Sequence, residues 1–336
     1  MDVSNSVTEA LNRYHFWREE FHTLIAAAAA GQTLLGSVVS VPNGAEVLGA
    51  LVDSVGEPWP KGKRFPEPKT TVDTASSVLW GLLIVQALSA FDEYTVSALE
   101  DLLEFDAASR GQTPFEHDHK DMFAVAPPRR SGCCPAVAGT YCFRDGLGSR
   151  IEDFDKDLDL RLASSLIEVL PLFHYFRRVR NRIVHSNSWA GEGLEDYSKS
   201  DELRKAVATW DNTYCQRPSP RLPAIHSDQR LSFLPRHVIM VSTICYEFAK
   251  AIDRAFVQRL GEDGIVRMAL YYSLVAPEHP TRSATHKRPE APLGNFLYAR
   301  FGAVDFSRDS LLARLRELGL WEATVSLHRM RYPEVP

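Results

Sequence analysis

The stretch VLWGLLIVQALSAF, Val78 to Phe91, constrains this chain more than any other. It is apolar nearly all round a helix, a pattern that needs neighbours on every side and so fits the centre of a helical bundle. It falls short of the roughly 18–20 apolar residues that span a bilayer, and Gln86 interrupts it, so the expectation is a bundle core with no membrane contact. The helix carrying it is expected over 74–105. Its second half, FDEYTVSALEDLLEF, turns amphipathic and acidic.

Other segments read as helices around that core. Val7, Leu11, Tyr14, Phe21 and Ile25 recur along one stripe and predict a helix over 6–30, with Gly31 as its stop. Residues 31–73 are rich in Gly and Pro and read as an irregular linker, with room for one short helix at AEVLGALVDSV. Residues 106–150 read as a surface insertion, Pro-rich and locally basic. A third core helix is expected from about Leu158 to His185, with Pro171 as a kink or break. A Ser/Asn/Gly loop over 186–200, a short helix at SDELRKAVATW and a hairpin or loop over 213–235 follow. A strong helix over 235–260 has Pro at its start and Gly261 just past its end. The tail suggests short helices, with Ser307 or Asp309 near a cap. The expected fold is mainly α, an antiparallel helical bundle with long loop insertions. It divides into an N-terminal helix and linker (1–73), a bundle (74–262) and a small C-terminal helical appendage (263–336).

Bulk properties remove several classes. The chain has 336 residues, 45% hydrophobic and 24% charged, with a formal net charge of −5. That composition is ordinary for a globular protein and lacks a whole-molecule basic field, so any nucleic-acid site has to be a local patch. Five cysteines, an odd number, argue against a disulfide scaffold. The polar N-terminus shows no apolar signal core. Together these lead us to expect a cytoplasmic, reducing location.

The densest chemistry lies in RVRNRIVHSN, residues 178–187. On a helical wheel Leu172, Phe176, Val179 and Ile183 form the core stripe. Arg177, Asn181 and His185 share another face by i, i+4, i+8 spacing, with Arg178 and Arg182 beside them. Arg180 flanks the apolar stripe, where its long stem can snorkel. Arg180 and His185 therefore meet only if the helix loosens or a second copy of the chain contributes. A histidine exchanges protons near neutral pH, and guanidinium groups suit phosphate. RNA phosphodiester cleavage needs these functions, because the 2′-hydroxyl must lose a proton and the phosphorus must be stabilised. The competing explanation is simple. A helix C-terminus attracts Arg and His through its dipole, for about 0.3–1 kcal/mol each.

Arg180-Asn181-Arg182-Ile183-Val184-His185 resembles the signature of the HEPN superfamily: an arginine, usually a polar neighbour, and a histidine after four to six intervening residues. The acidic turn of the long helix at Asp92 and Glu93 resembles the first HEPN helix, where such a residue often faces the motif. The resemblance covers about residues 74–260, outside the 106–150 insertion. It implies a dimeric bundle and a metal-independent endoribonuclease without cofactor, of the kind found in toxin–antitoxin and antiviral defence systems. Arg180 would hold the scissile phosphate, His185 would act as base or acid or orient the 2′-hydroxyl, and Asn181 would position His185 or the phosphate. Asp92 or Glu93 would support them. Arg177, Arg178 and Arg182 would hold flanking phosphates, and Trp189 could stack on a base. The products would be a 2′,3′-cyclic phosphate and a 5′-hydroxyl. Expected partners are RNA, a second copy of the chain, and an antitoxin or defence protein. A catalytically inactive HEPN-like dimeric RNA-binding or protein-interaction scaffold is the alternative, and a third is a helical regulator binding DNA or protein through SLLARLRELGLWEA.

Weaker signals point elsewhere. His117, His119, Cys133, Cys134 and Cys142 offer zinc-type donors, but no common spacing links them, and loop residues without a metal are the expectation. GLGSR (146–150) reads as a turn. The chain contains no GxxxxGK[ST], GxSxG or HExxH motif. Trp59, Trp210 and Trp321 are expected to pack, Cys215 to sit in a loop and Cys245 in the core. APPRR and THKRPEAP are basic stretches that could touch RNA or a partner.

Overall fold

The computed structural model of the chain describes residues 6–54, 67–106, 162–215, 219–275, 288–302 and 307–333. Among these the fold is mainly α. The helices are α1 (Glu9–Val39), α2 (Gly44–Ser54), α3 (Pro68–Phe105), α4 (Ser164–His185), α5 (Glu192–Ser198), α6 (Asp201–Tyr214), α7 (Pro235–Leu270), α8 (Ala291–Phe301), α9 (Arg308–Glu317) and α10 (Trp321–Arg331), with a π-helical turn at Tyr271–Val275. The sole β feature among the described residues is an isolated antiparallel bridge between Trp189 and Arg230.

Two compact units interleave along the chain. One takes 1–15, 92–163 and 248–336, and the other takes 16–91 and 164–247. The three linear segments expected from the sequence are thus distributed over both, because α1, α3 and α7 each contribute a part to either unit.

In the first unit, Leu99, Leu102 and Phe105 of α3 and Ile252 and Phe256 of α7 are buried. Thr8 caps α1, its hydroxyl accepting from the Leu11 amide. Its own amide and hydroxyl donate to the carboxylate of Asp253, which is fully buried in α7. Burial pushes the Asp253 carboxyl up to about 7. Tyr272 donates to Asp101 at 2.5 Å, and the Arg13 guanidinium lies 5.2 Å from the Tyr272 ring. Of the two cap candidates Ser307 and Asp309, Ser307 caps α9, through a capping box with Ser310.

In the second unit, α4 runs along α6 and touches α5. Its Leu172, Phe176 and Val179 are at most 1% exposed, as the stripe requires. Ile183 is half-buried and lies opposite Gly81 of α3, where a Cβ would come within 3.5 Å of it. Phe173 meets Phe91 edge-on, with ring centroids 5.6 Å apart. Pro171 neither breaks nor ends α4, which is continuous to His185. The carbonyl left without an amide partner belongs to Ile167, a residue 42% exposed, where water can serve it. The Pro171 carbonyl accepts from the Tyr197 hydroxyl at 3.0 Å.

Two glycine stops behave differently from the sequence expectation. Gly31 does not end α1, which continues to Val39. Five alanines at 26–30 are strong helix formers, and one interior glycine costs only about 1 kcal/mol against them. Gly261 does interrupt its helix, at φ 58° and ψ −166°, but the chain resumes helical geometry as far as Leu270. The expected loop over 186–200 contains α5.

α1 also bears on the membrane argument. By length and composition α1 and the Pro68–Leu99 part of α3 are each long and apolar enough to cross a bilayer. The sequence reading considered only the Val78–Phe91 run. Residues 21–45 contain no charged side chain, and Leu24, Leu34 and Leu35 are exposed. Within this unit α1 is tied to α3 by a 3.0 Å bond from the Trp80 indole to Gln32.

Candidate functional site

The site residues sit at the open end of α4. Val179 is fully buried and holds the helix to the unit's core, so the residues around it are presented at fixed angles. Arg180 is half-buried, while Asn181 and His185 are exposed. Five residues of α-helix turn through about 140° beyond one full revolution, so Arg180 and His185 leave α4 on different sides. The Arg180 guanidinium donates to the side-chain oxygen of Asn181 at 3.2 Å. The His185 imidazole has no hydrogen bond to a described residue. No acidic residue occurs on α4 from Phe173 to His185, so the positive strip is not neutralised within its own helix.

The surrounding cations divide by what they touch. Arg178 lies over the Tyr197 ring at 4.5 Å, a cation–π contact that ties it to α5. The Arg182 guanidinium lies against Gly191, where a Cβ would stand only 2.9 Å from it. Arg177 is half-buried and acts on Tyr197 electrostatically. Trp189 is 46% exposed, with Arg230 over its ring at 5.8 Å. Arg178 and Arg182 therefore build the end of the helix as well as charging it. Asp92 (half-buried) and Glu93 (exposed) belong to the other unit.

Beyond His185 the backbone takes an unusual course. Asn187 has φ 48° and Ser188 φ 67°, two consecutive non-glycine residues in the left-handed region. Such conformations are sparsely populated and concentrate at functional sites. A second strand of chain fixes them. Leu231 donates to the Ser188 carbonyl at 2.8 Å, Ala190 to Gln229 and Gly191 to Ser227, both at 3.2 Å. That strand is itself held by Glu195, which accepts from the Ser227 amide at 2.8 Å and from Lys199 at 2.7 Å. Lys199 and the Ser227 bond lower the Glu195 carboxyl to about 2.

A pocket of about 480 Å³ opens beside this turn. One wall is a face of α3 carrying Thr70, Asp73, Thr74 and Ser77. Val78, Leu82, Ile183 and Phe233 supply apolar surface, and Asn187, Ser188 and Arg230 close the side next to the motif. Ser77 donates to the Leu231 carbonyl at 3.3 Å, joining two of its walls. The sequence reading named none of these α3 residues. The only signal was the spacing 70, 73, 74, 77, one helical face of hydroxyls and a carboxylate just ahead of the apolar run from Val78.

Other candidate residues take plainer places. Trp210 is buried and stacks on Tyr214. Cys245 is buried, which pushes its thiol up, and Cys215 contacts the Ser219 hydroxyl at 3.4 Å. His117, His119, Cys133, Cys134, Cys142, Trp59, APPRR and GLGSR lie outside the described residues, as do the first three residues of THKRPEAP. Among the described residues no group of three His, Cys, Asp or Glu is placed to hold a metal ion. In the segment SLLARLRELGLWEA the cations are engaged: Arg314 with Asp263 and Glu317, and Arg316 over Trp321.

Comparison of the chain with protein-family models, with curated proteins and with solved structures returned no match.

Proposed function

We propose that this chain is a metal-independent endoribonuclease of HEPN type, acting in the cytoplasm as a homodimer within a microbial defence or toxin–antitoxin system. The observation that carries the proposal is the end of α4. An exposed imidazole with no partner among the described residues and a guanidinium that, among them, bonds the neighbouring Asn181 stand on α4 beside a strained turn. In this reading Arg180 binds the scissile phosphate and offsets its developing charge. His185 transfers a proton to or from the reacting oxygens. The 2′-oxygen attacks phosphorus, its proton passes to a base, and the 5′-oxygen leaves with a proton. The products are a 2′,3′-cyclic phosphate and a 5′-hydroxyl. Asn181 orients Arg180.

The test is cleavage of labelled RNA by the full chain in EDTA. Arg180→Ala and His185→Ala should each lower the rate by about 10²–10⁴-fold. Equal rates in wild type and both variants overturn the proposal.

One observation favours a second reading. Arg180 and His185 diverge around α4, so a single copy does not bring them to one phosphate. If the chain binds RNA without cutting it, it is a HEPN-like dimeric RNA-binding scaffold.

A further inference from the structure

We infer that the pocket between α3 and the end of α4 is a base-reading subsite for guanine, taking the nucleotide next to the scissile phosphate. The inference rests on the ribonuclease reading for its RNA context, but the pocket makes its own case. At about 480 Å³ it lies in the range of small-molecule sites and accommodates a nucleoside. Its lining combines apolar surface from Leu82, Ile183 and Phe233 with a hydroxyl face, one carboxylate and one guanidinium. That mixture suits a flat heteroaromatic ring with a polar edge and an attached phosphate.

Position links the pocket to the motif. Ile183 and Asn187 line it, and each is two residues from His185. The left-handed turn at Asn187 and Ser188 places backbone, rather than a longer helix, at the pocket mouth. Arg230 lines the same pocket and supplies a guanidinium suited to a nucleotide's phosphate.

Asp73 selects the base. A carboxylate only accepts hydrogen bonds. Guanine presents two adjacent donors, N1–H and the N2 amino group, which match its two oxygens. Uracil offers one N–H flanked by carbonyls that repel the carboxylate. Cytosine and adenine set their amino group beside an acceptor nitrogen. The hydroxyls of Thr70 and Thr74 can donate to guanine O6.

The experiment measures calorimetric binding of 3′-GMP, 3′-AMP, 3′-CMP and 3′-UMP to the full chain, alongside cleavage of RNAs differing in one base. 3′-GMP should bind tightest. Asp73→Asn, at an exposed helix position, should weaken it by about 10–100-fold, the size of a hydrogen bond to a charged group, and should erase the base preference. An unchanged thermal melt of Asp73→Asn shows that the fold is intact. RNA cleavage that depends on Arg180 and His185, with no preference among the four nucleotides, overturns the guanine subsite and leaves the ribonuclease reading standing. Asp73-dependent 3′-GMP binding without any RNA cleavage does the reverse. Absence of both overturns the two together.

Discussion

Gly191 shows how closely single residues are specified around the motif. At φ 72° and ψ 157° it occupies a region open essentially only to glycine, and Arg182 fills the space a side chain would need. Gly191→Ala should destabilise the protein by about 1–3 kcal/mol in urea titration and displace the Arg182 guanidinium. His237 is specified differently. Its Nδ1 accepts from the Leu234 amide at 3.0 Å, so the proton sits on Nε2, which donates to the Arg221 carbonyl at 2.9 Å. Burial lowers its pKa below 6.5. The stability this neutral ring contributes is present above pH 6.5 and is lost as pH falls through the lower folded value. His237→Gln should flatten the acid limb of a melting-temperature profile below pH 6.5.

At the scale of elements, α4 was the most legible part of the chain. Its stripe of Leu172, Phe176 and Val179 could be read from 3.6-residue periodicity, and those residues are buried. Pro171 was harder, because whether a proline breaks a helix depends on who serves the freed carbonyl, and that is decided by exposure. Pro171→Ala should restore an amide donor and raise the melting temperature, while a broken helix at this point would show no gain. Phe176→Ala should cost about 3–5 kcal/mol in chemical denaturation, since a buried aromatic leaves a cavity under the motif. The HEPN resemblance implies that Arg178 and Arg182 hold flanking phosphates. Their contacts with Tyr197 and Gly191 could not be foreseen, because both partners lie beyond the turn that ends the helix. The pocket was invisible for the same reason: its walls come from residues near 70, 183 and 230.

For the whole molecule, composition and periodicity gave the mainly helical class, and they missed the interleaving of two units. Interleaving arises when long helices serve more than one core, and no local pattern marks where α1, α3 or α7 changes neighbours. The first unit carries its own pH signature. Asp253 has a carboxyl raised to about 7 and an unfolded value near 3.8. A raised folded value means the native state holds the proton more tightly, so its stabilisation is complete below pH 3.8 and fades as pH climbs to about 7. Asp253→Asn should remove that decline, measured as urea midpoints across pH 4–7. An equal decline in the variant would show that other groups cause it.

The turn at Asn187 and Ser188 has one more consequence. Glycine would adopt both backbone angles with little penalty, so Ser188→Gly ought to make the native state harder to unfold. A chain tuned for robustness alone would carry glycine there. Keeping serine trades resilience for a stiffer edge next to His185. The glycine variant should therefore outlast the parent on heating and, under the ribonuclease proposal, cleave RNA more slowly.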